Sequence, residues 1–386
     1  MDFTLNEQVL TIKCVGEINS GNAEDVENKI NDIILNHKNE FNKLILDFNS
    51  VTYISSAGLR IILKLKKLYN NVSVINVNLE VYDILSMTGF TNILEVKKAL
   101  QEISVDGCDI IGEGFAGTVY RISNDTIIKV FKNETNIPNI ERELKLAKEA
   151  FILGIPTAIS FDVVKVKDKY GVRFEMLDAT SLRDLFRDNP DRFDELVKKY
   201  AELLKIINTT ESNDENLPST KASWLNKIEF IKEYLDNNDY LKMKKLIEGI
   251  DERITLIHGD CHIKNILSQK DDLLLIDMDT LSRGHPIFEL AAIYATYIVF
   301  EEDAEGNSEK FLGIPKKLSI DIYYNTLKYY LPEYNEDILN KIRIVSYIHM
   351  LWWNKTFEPN NTIRFNGCKE RLLKLLPLYD DLNIGL

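Results

Sequence analysis

The hydrophobic positions of this chain change their period as the chain advances. Val9-Leu10-Thr11-Ile12-Lys13-Cys14-Val15 is a β-branched run ended by Gly16-Glu17, and Val26, Ile30, Ile33 and Ile34 then recur at helical spacing between Glu24 and His37. Leu44 to Phe48 reads as a short buried strand, Ala57 to Tyr69 as an amphipathic helix, and Val72 to Val77 as a further strand. A helix-like stretch near Val81 to Met87 and a short helix over Val96 to Leu100 follow. Strands that alternate with helices predict an α/β layer over residues 1–100.

The grammar shifts near Lys97 to Asp109, with no Pro- or Ser-rich linker between the two regions. Strand-like segments at Ile111 to Ile122 and Asp125 to Phe131 precede a helix from about Ile140 to Leu153. Two β-rich stretches, Ala158 to Val166 and Gly171 to Met176, come next. From Ser181 onward the pattern is helical, interrupted only at Ile254 to Ile276. The expected organisation is α/β plus α+β: an α/β domain at 1–100, a β-rich lobe at 107–178 and a mainly helical lobe at 179–386.

Charge removes several partner classes. The 386 residues carry 47 Lys and Arg against 60 Asp and Glu, a net charge of −13, where sequence-independent binders of nucleic acid or anionic membranes need a basic surface. Residues 1–100 are nearly balanced, so most of the acidity lies beyond them. No apolar run reaches the roughly 18 residues that span a bilayer. Met1 to Glu7 has neither the basic nor the apolar part of a secretory leader. The 4 cysteines are far apart and form no CxxC pair. A reduced, cytoplasmic protein is expected, with neither nucleic acid nor membrane as partner.

Candidate chemistry concentrates in the second region. Gly112-Glu113-Gly114-Phe115-Ala116-Gly117 matches GxGxxG, but Thr118 to Ile122 continues it as strand, and Asn124-Asp125 turns the chain into Thr126 to Phe131. A dinucleotide fingerprint would run into a helix. A glycine-rich turn between strands instead lets backbone N–H groups fold over nucleotide phosphates, with Gly112, Gly114 and Gly117 as the small residues. An ordinary hairpin is the plain alternative. Lys129 lies mid-strand in an apolar run, where an ammonium needs a partner. Glu143, on the following helix, is the chosen partner, with Glu141 and Glu149 as alternatives.

The run His258-Gly259-Asp260-Cys261-His262-Ile263-Lys264-Asn265 reads HxDxxxxN, and Ile276-Asp277-Met278-Asp279 follows it. Phosphoryl transfer needs a carboxylate beside the acceptor hydroxyl, here Asp260, and oxygen ligands for Mg²⁺, here Asn265 and Asp277. His258 reads as a brace for the loop backbone rather than a base. His262 and His285 read equally as cleft or surface residues. Trp352-Trp353, with Tyr347 and His349, read either as helix packing or as a cage for a quaternary ammonium. The acidity of this half would suit a cationic acceptor.

On these motifs, residues from about Asp109 onward resemble the aminoglycoside phosphotransferase and choline kinase superfamily of protein-kinase-like enzymes. HGDxHxxN stands where protein kinases have their HRD loop, and IDxD stands where they have DFG. Arg283 to Ala291 continues as helix, and no APE motif follows. The resemblance implies a two-lobed fold that uses ATP or GTP with Mg²⁺. Asp260 would be the base, Asn265 and Asp277 the metal ligands, and Lys129 the phosphate lysine. Phe174 to Leu177, with Glu175 and Met176 at its centre, would be the hinge that contacts the base. The acceptor would be a small hydroxylated molecule.

Asp47-Phe48-Asn49-Ser50-Val51-Thr52-Tyr53-Ile54-Ser55-Ser56-Ala57-Gly58-Leu59-Arg60 is the distinctive run of the first region. Ser55 or Ser56 is placed to cap the helix that starts near Ala57, where a phosphate would also meet free N–H groups. This run and the 1–100 pattern resemble the STAS domain of anti-sigma factor antagonists. That likeness implies a protein partner and a phosphorylatable serine at Ser56, although Ser55 stands where the family often has an acid. Three readings of the whole chain follow: a small-molecule phosphotransferase with a regulatory STAS module; a signalling kinase acting on a STAS serine, its own Ser56 or another chain's; and a nucleotide-binding regulator without turnover.

Overall fold

The computed structural model describes residues 1–114, 117–132 and 137–386 and divides into two units, Met1–Ile103 and Ser104–Leu386. In the first unit, β1 (Asp2–Asn6), β2 (Val9–Ile18), β3 (Lys43–Ile54), β4 (Val72–Val77) and β5 (Glu95–Lys98) form a five-stranded sheet in that order. The β1–β2 pair is antiparallel and every other pair is parallel. The register sets Ile12 beside Leu46 and Leu46 beside Val74, and all three side chains are buried. Helices α1 (Ala23–Asn36), α2 (Ser56–Leu68) and α3 (Leu79–Met87) supply the crossovers that parallel pairing requires.

Two elements differ from the sequence reading. The expected helix at Val96 to Leu100 is strand β5, whose Glu95 and Val96 pair with Ser73 and Val74 of β4. A helix of that length is marginal by itself, whereas an open sheet edge offers a ready row of backbone partners. Strand β1 is mostly exposed, so little hydrophobic periodicity marked it.

The second unit opens with β6 (Asp109–Glu113), β7 (Gly117–Arg121), β8 (Thr126–Phe131), α4 (Ile137–Ile152), β9 (Ser160–Val166) and β10 (Lys169–Glu175). The strands pair antiparallel in the order β9, β10, β8, β7, β6. Helices α5 (Leu182–Asp188), α6 (Phe193–Thr209), α7 (Thr220–Ile231) and α8 (Asn237–Glu248) follow. Strands β11 (Leu256–Ile257), β12 (Ile266–Gln269) and β13 (Asp272–Leu275) then interrupt the helical lobe. It closes with α9 (Ile287–Tyr294), α10 (Asn307–Leu312), α11 (Lys316–Tyr330), α12 (Glu336–Phe357) and α13 (Thr362–Leu375). A small sheet lobe with one helix, followed by a mainly helical lobe, is the arrangement the sequence led us to expect. Leu256, Ile263, Ile266 and Leu275 are fully buried in the helical lobe's core, which anchors both ends of the polar loop between β11 and β12. Among the described residues, no helix is long and apolar enough to cross a membrane.

Candidate active site

Lys129 sits in β8 between buried Ile128 and Val130, opposite Val119 on one side and Val172 on the other. Helix α4 turns Ile140, Glu143, Leu146, Ala147 and Ala150 inward together, the one-face spacing of a helix. Of the three candidate glutamates, Glu143 is therefore the one brought to Lys129, with Oε1 at 2.8 Å from Nζ. Asp277 Oδ1 also lies 2.8 Å from that nitrogen. Burial opposes the lysine's charge, but Asp277 and then Glu143 outweigh it, so its pKa rises and the ammonium persists.

The loop from His258 to Asn265 is held from several directions. The Glu289 carboxylate, fully buried on α9, accepts from His258 N at 2.6 Å and from Gly259 N at 3.2 Å. Thr280 Oγ1 donates to the His258 carbonyl at 2.5 Å. The His258 ring bridges the two ends of the site: Nδ1 accepts from Asp260 N at 3.2 Å, and Nε2 lies 3.3 Å from the Ile276 carbonyl. Both contacts fit a neutral imidazole, and burial holds its pKa down near 4, so the ring acts as a brace. Gly259 has φ +82°, and a Cβ there would press on Thr280, so both its backbone and its surroundings call for glycine.

Asn265 Nδ2 donates to the Asp260 carbonyl and to its Oδ2, each at 3.0 Å. Burial, and then the Asp277 charge, push the Asp260 carboxyl up to about 7, against the Asn265 hydrogen bond. Asp279 is raised to about 7 in the same way. Asp277 has φ +67°, a left-handed conformation that a non-glycine residue rarely adopts and that Asp tolerates better than most. The Asn265 side-chain oxygen and the Asp277 carboxylate form a small, hard donor set, suited to a cation that keeps waters and takes phosphate oxygens. Among the described residues, no cluster of three or more His, Cys, Asp and Glu forms a closed metal cage.

At the sheet end of the site, Gly114 N donates to Gly117 O at 2.9 Å. A bulge falls at Ile111, between the pairs Ile110–Tyr120 and Gly112–Val119. Phe115 and Ala116 of the glycine motif lie outside the described residues. A Cβ on Gly117 would collide with the Val130 carbonyl, so this glycine also allows a close strand approach. Glu175 closes the end of β10 by accepting from Ile159 N at 2.7 Å. Met176 N donates to Asp125 O at 2.8 Å.

Beyond Asp260 lies an aromatic strip. His262 Nε2 is 3.6 Å from Asp260 Oδ1, and its ring meets Phe311 edge-on at 5.2 Å. Phe311 stacks on Phe300, which meets Trp353. Lys264 Nζ lies 4.9 Å from the Phe311 ring centre. Trp352 and Trp353 do not form an open cage. The Arg364 guanidinium lies over Phe300 and Trp353, Lys227 over Trp224 and Trp352, and Arg371 over Tyr347. Lys227 also contacts His349 Nδ1 at 2.9 Å, and burial pulls its pKa to about 7. His285 is buried and accepts from Ile287 N at the start of α9. The sequence reading gave Glu289 no role. Its signal was a carboxylate inside the apolar helix Ile287–Tyr294, which burial tolerates only with partners.

In the first unit, Ser56 is the exposed first residue of α2. Ser55 holds the cap position, but its side chain makes no capping hydrogen bond. Its Oγ is buried without a partner among the described residues.

Residues 1–103 match the STAS domain family, and residues 108–312 match the phosphotransferase enzyme family. Among solved structures, the chain resembles the gentamicin–APH(2″)-IIa complex at 15% identity, covering 78% of this chain and 97% of that one, with a TM-score of 0.47. A thermostable mutant of aminoglycoside phosphotransferase APH(4)-Ia in its apo form is 11% identical, with coverage of 70% and 94% and a TM-score of 0.49. A choline/ethanolamine kinase family protein from Mesorhizobium loti is 12% identical, with coverage of 70% and 92% and a TM-score of 0.47. No curated protein matches the chain.

Proposed function

The chain belongs to the phosphotransferase enzyme family, and on that premise we propose that it moves the γ-phosphoryl group of ATP or GTP to a hydroxyl of a small molecule. The observation that carries this reading is the Lys129 ammonium, 2.8 Å from both Glu143 and Asp277, which joins the sheet lobe to the loop end of the helical lobe. Lys129 holds the nucleotide phosphates, while Gly112, Gly114 and Gly117 shape the turn over them and the Glu175–Met176 segment meets the base. Asn265 and Asp277 would hold Mg²⁺, which supplies charge neutralisation for the phosphates when bound.

Asp260 takes the proton of the acceptor hydroxyl as that oxygen bonds to phosphorus. The bond from phosphorus to the bridging oxygen breaks, and the nucleoside diphosphate leaves with the electron pair. A carboxyl poised near 7 suits that task at neutral pH. The test is Asp260→Asn: γ-phosphoryl transfer should vanish while nucleotide binding, followed by calorimetry, persists. Retained turnover would overturn the assignment.

In this proposal the STAS unit serves as a regulatory or docking module for a protein partner. The exposure of Ser56 on the first turn of α2 favours a second reading, in which the kinase half phosphorylates a STAS serine. Intact-protein mass after incubation with ATP and Mg²⁺, wild type beside Asp260→Asn, separates the two. A phosphate gained only by wild type and mapped to Ser56 supports the second reading, and no gain supports a free acceptor.

A further inference from the structure

On the side of the site that would receive the acceptor, Glu301, Glu302, Asp303 and Glu358 are committed to partners, and a cation is to spare. Glu301 accepts from Gly306 N and Ser308 N at 2.8 and 2.7 Å. Glu302 and Asp303 both pair with Arg371, and Glu358 pairs with the buried Arg364 at 2.6 Å. The ring faces of Trp224, Phe300 and Tyr347 carry the chain's own Lys227, Arg364 and Arg371. A cationic acceptor therefore meets neither a free carboxylate among these nor an open face on these rings.

Lys264 stands apart. It is half-buried, one residue from Asn265, and among the described residues no carboxylate lies within ion-pair distance of its ammonium. Its near neighbours in charge are Arg183 and Asp260. Arg183 N donates to Ile263 O, which fixes α5 against the same loop, while its guanidinium is taken up by Asp184. Phe311, 39% exposed, carries Lys264 on its ring and His262 at its edge, and His262 reaches the Asp260 carboxylate at 3.6 Å. A cation, an exposed apolar ring and the proposed base thus converge on one place. An ammonium partly withdrawn from water with no carboxylate in ion-pair contact is best satisfied by an incoming anion.

Resting on the phosphotransferase reading, we propose that the acceptor is a hydroxylated molecule bearing an anionic group, carboxylate or phosphate, received by Lys264 beside Phe311 while its hydroxyl faces Asp260. Lys264 is then a specificity-determining residue that selects against cationic acceptors.

The test offers the full chain, with ATP and Mg²⁺, one hydroxyalkyl scaffold ending in carboxylate, phosphate monoester, amide or trimethylammonium. The expected result is a kcat/KM at least on the order of tenfold higher for an anionic head than for the amide or ammonium, with the faster anionic arm identifying the group. Lys264→Glu should reverse that order, and Lys264→Gln should flatten it. A wild-type preference for the neutral or cationic head overturns the proposal, as does an anionic preference that survives Lys264→Glu. So does transfer to no head while ATP is still hydrolysed. If ATP is neither hydrolysed nor transferred, the phosphotransferase reading itself fails and this inference falls with it.

Discussion

Glu289 reaches back 31 residues to accept the His258 amide at 2.6 Å, so helix α9 positions the loop that carries Asp260. The carboxylate is fully buried and also takes the Gly259 amide. Glu289→Ala leaves both donors unpaired and should cost about 3 kcal/mol. Glu289→Gln keeps an acceptor oxygen and should cost less. Urea denaturation of both variants checks the order, and equal losses would contradict it.

His258 should stay neutral well below the usual histidine range. Its folded pKa is near 4 against 6.5 for the free side chain, because of burial. Between those values the unfolded chain binds a proton that the folded loop refuses, so stability from this site falls as pH drops, by up to about 3 kcal/mol. Nitrogen-15 spectra of the ring at pH 6 should show one protonated nitrogen, Nε2. An imidazolium signal at that pH would refute the bracing role.

Lys129 and Glu143 should behave as a coupled pair. Lys129→Met leaves a buried carboxylate beside Asp277, and Glu143→Gln leaves the ammonium to Asp277 alone. Each should lower kcat/KM for phosphoryl transfer by roughly two orders of magnitude. The double variant should lose less than the two losses combined, with a coupling of about 1–3 kcal/mol. Additive losses would mean that the ion pair plays no joint part.

In the first unit, Gly58 lies at the crossing of α2 with the sheet. A Cβ there would stand 2.7 Å from Ile54 Cγ1 and 2.8 Å from Ile18 Cγ2. Gly58→Ala should therefore destabilise this unit by about 1–3 kcal/mol through overpacking, read as a lower urea midpoint for residues 1–103. An unchanged midpoint would show that the isoleucines can give way.

The sequence exposed what is carried locally. Lys129 stood out as a polar residue inside an apolar run, and Asp260, Asn265 and Asp277 stood out by their fixed spacing in polar stretches beside apolar strand-like pieces. Choosing Glu143 over Glu141 and Glu149 needed only the inward face of α4, but one sequence does not display which face that is. Glu289 was hidden for another reason: its partners are backbone amides far along the chain, and no side-chain spacing encodes them. The rings of Trp352 and Trp353 left packing and cage both open, since the cations over them come from Lys227 on α7 and Arg364 on α13. Strand β5 was misread because its pairing with β4, rather than its own residues, decides its form.

Asp277 sits at φ +67°, and this bears on how such a chain decays over generations. Most replacements there would strain the backbone as well as remove the carboxylate, so alanine scanning would confuse folding with chemistry. Glycine and asparagine are the exceptions, because both accept the left-handed backbone and each differs from aspartate by a single base change in the codon. If the chain turns over substrate as proposed, a lineage relieved of that selection has a short mutational path to a folded, silent descendant whose remaining surface is unchanged.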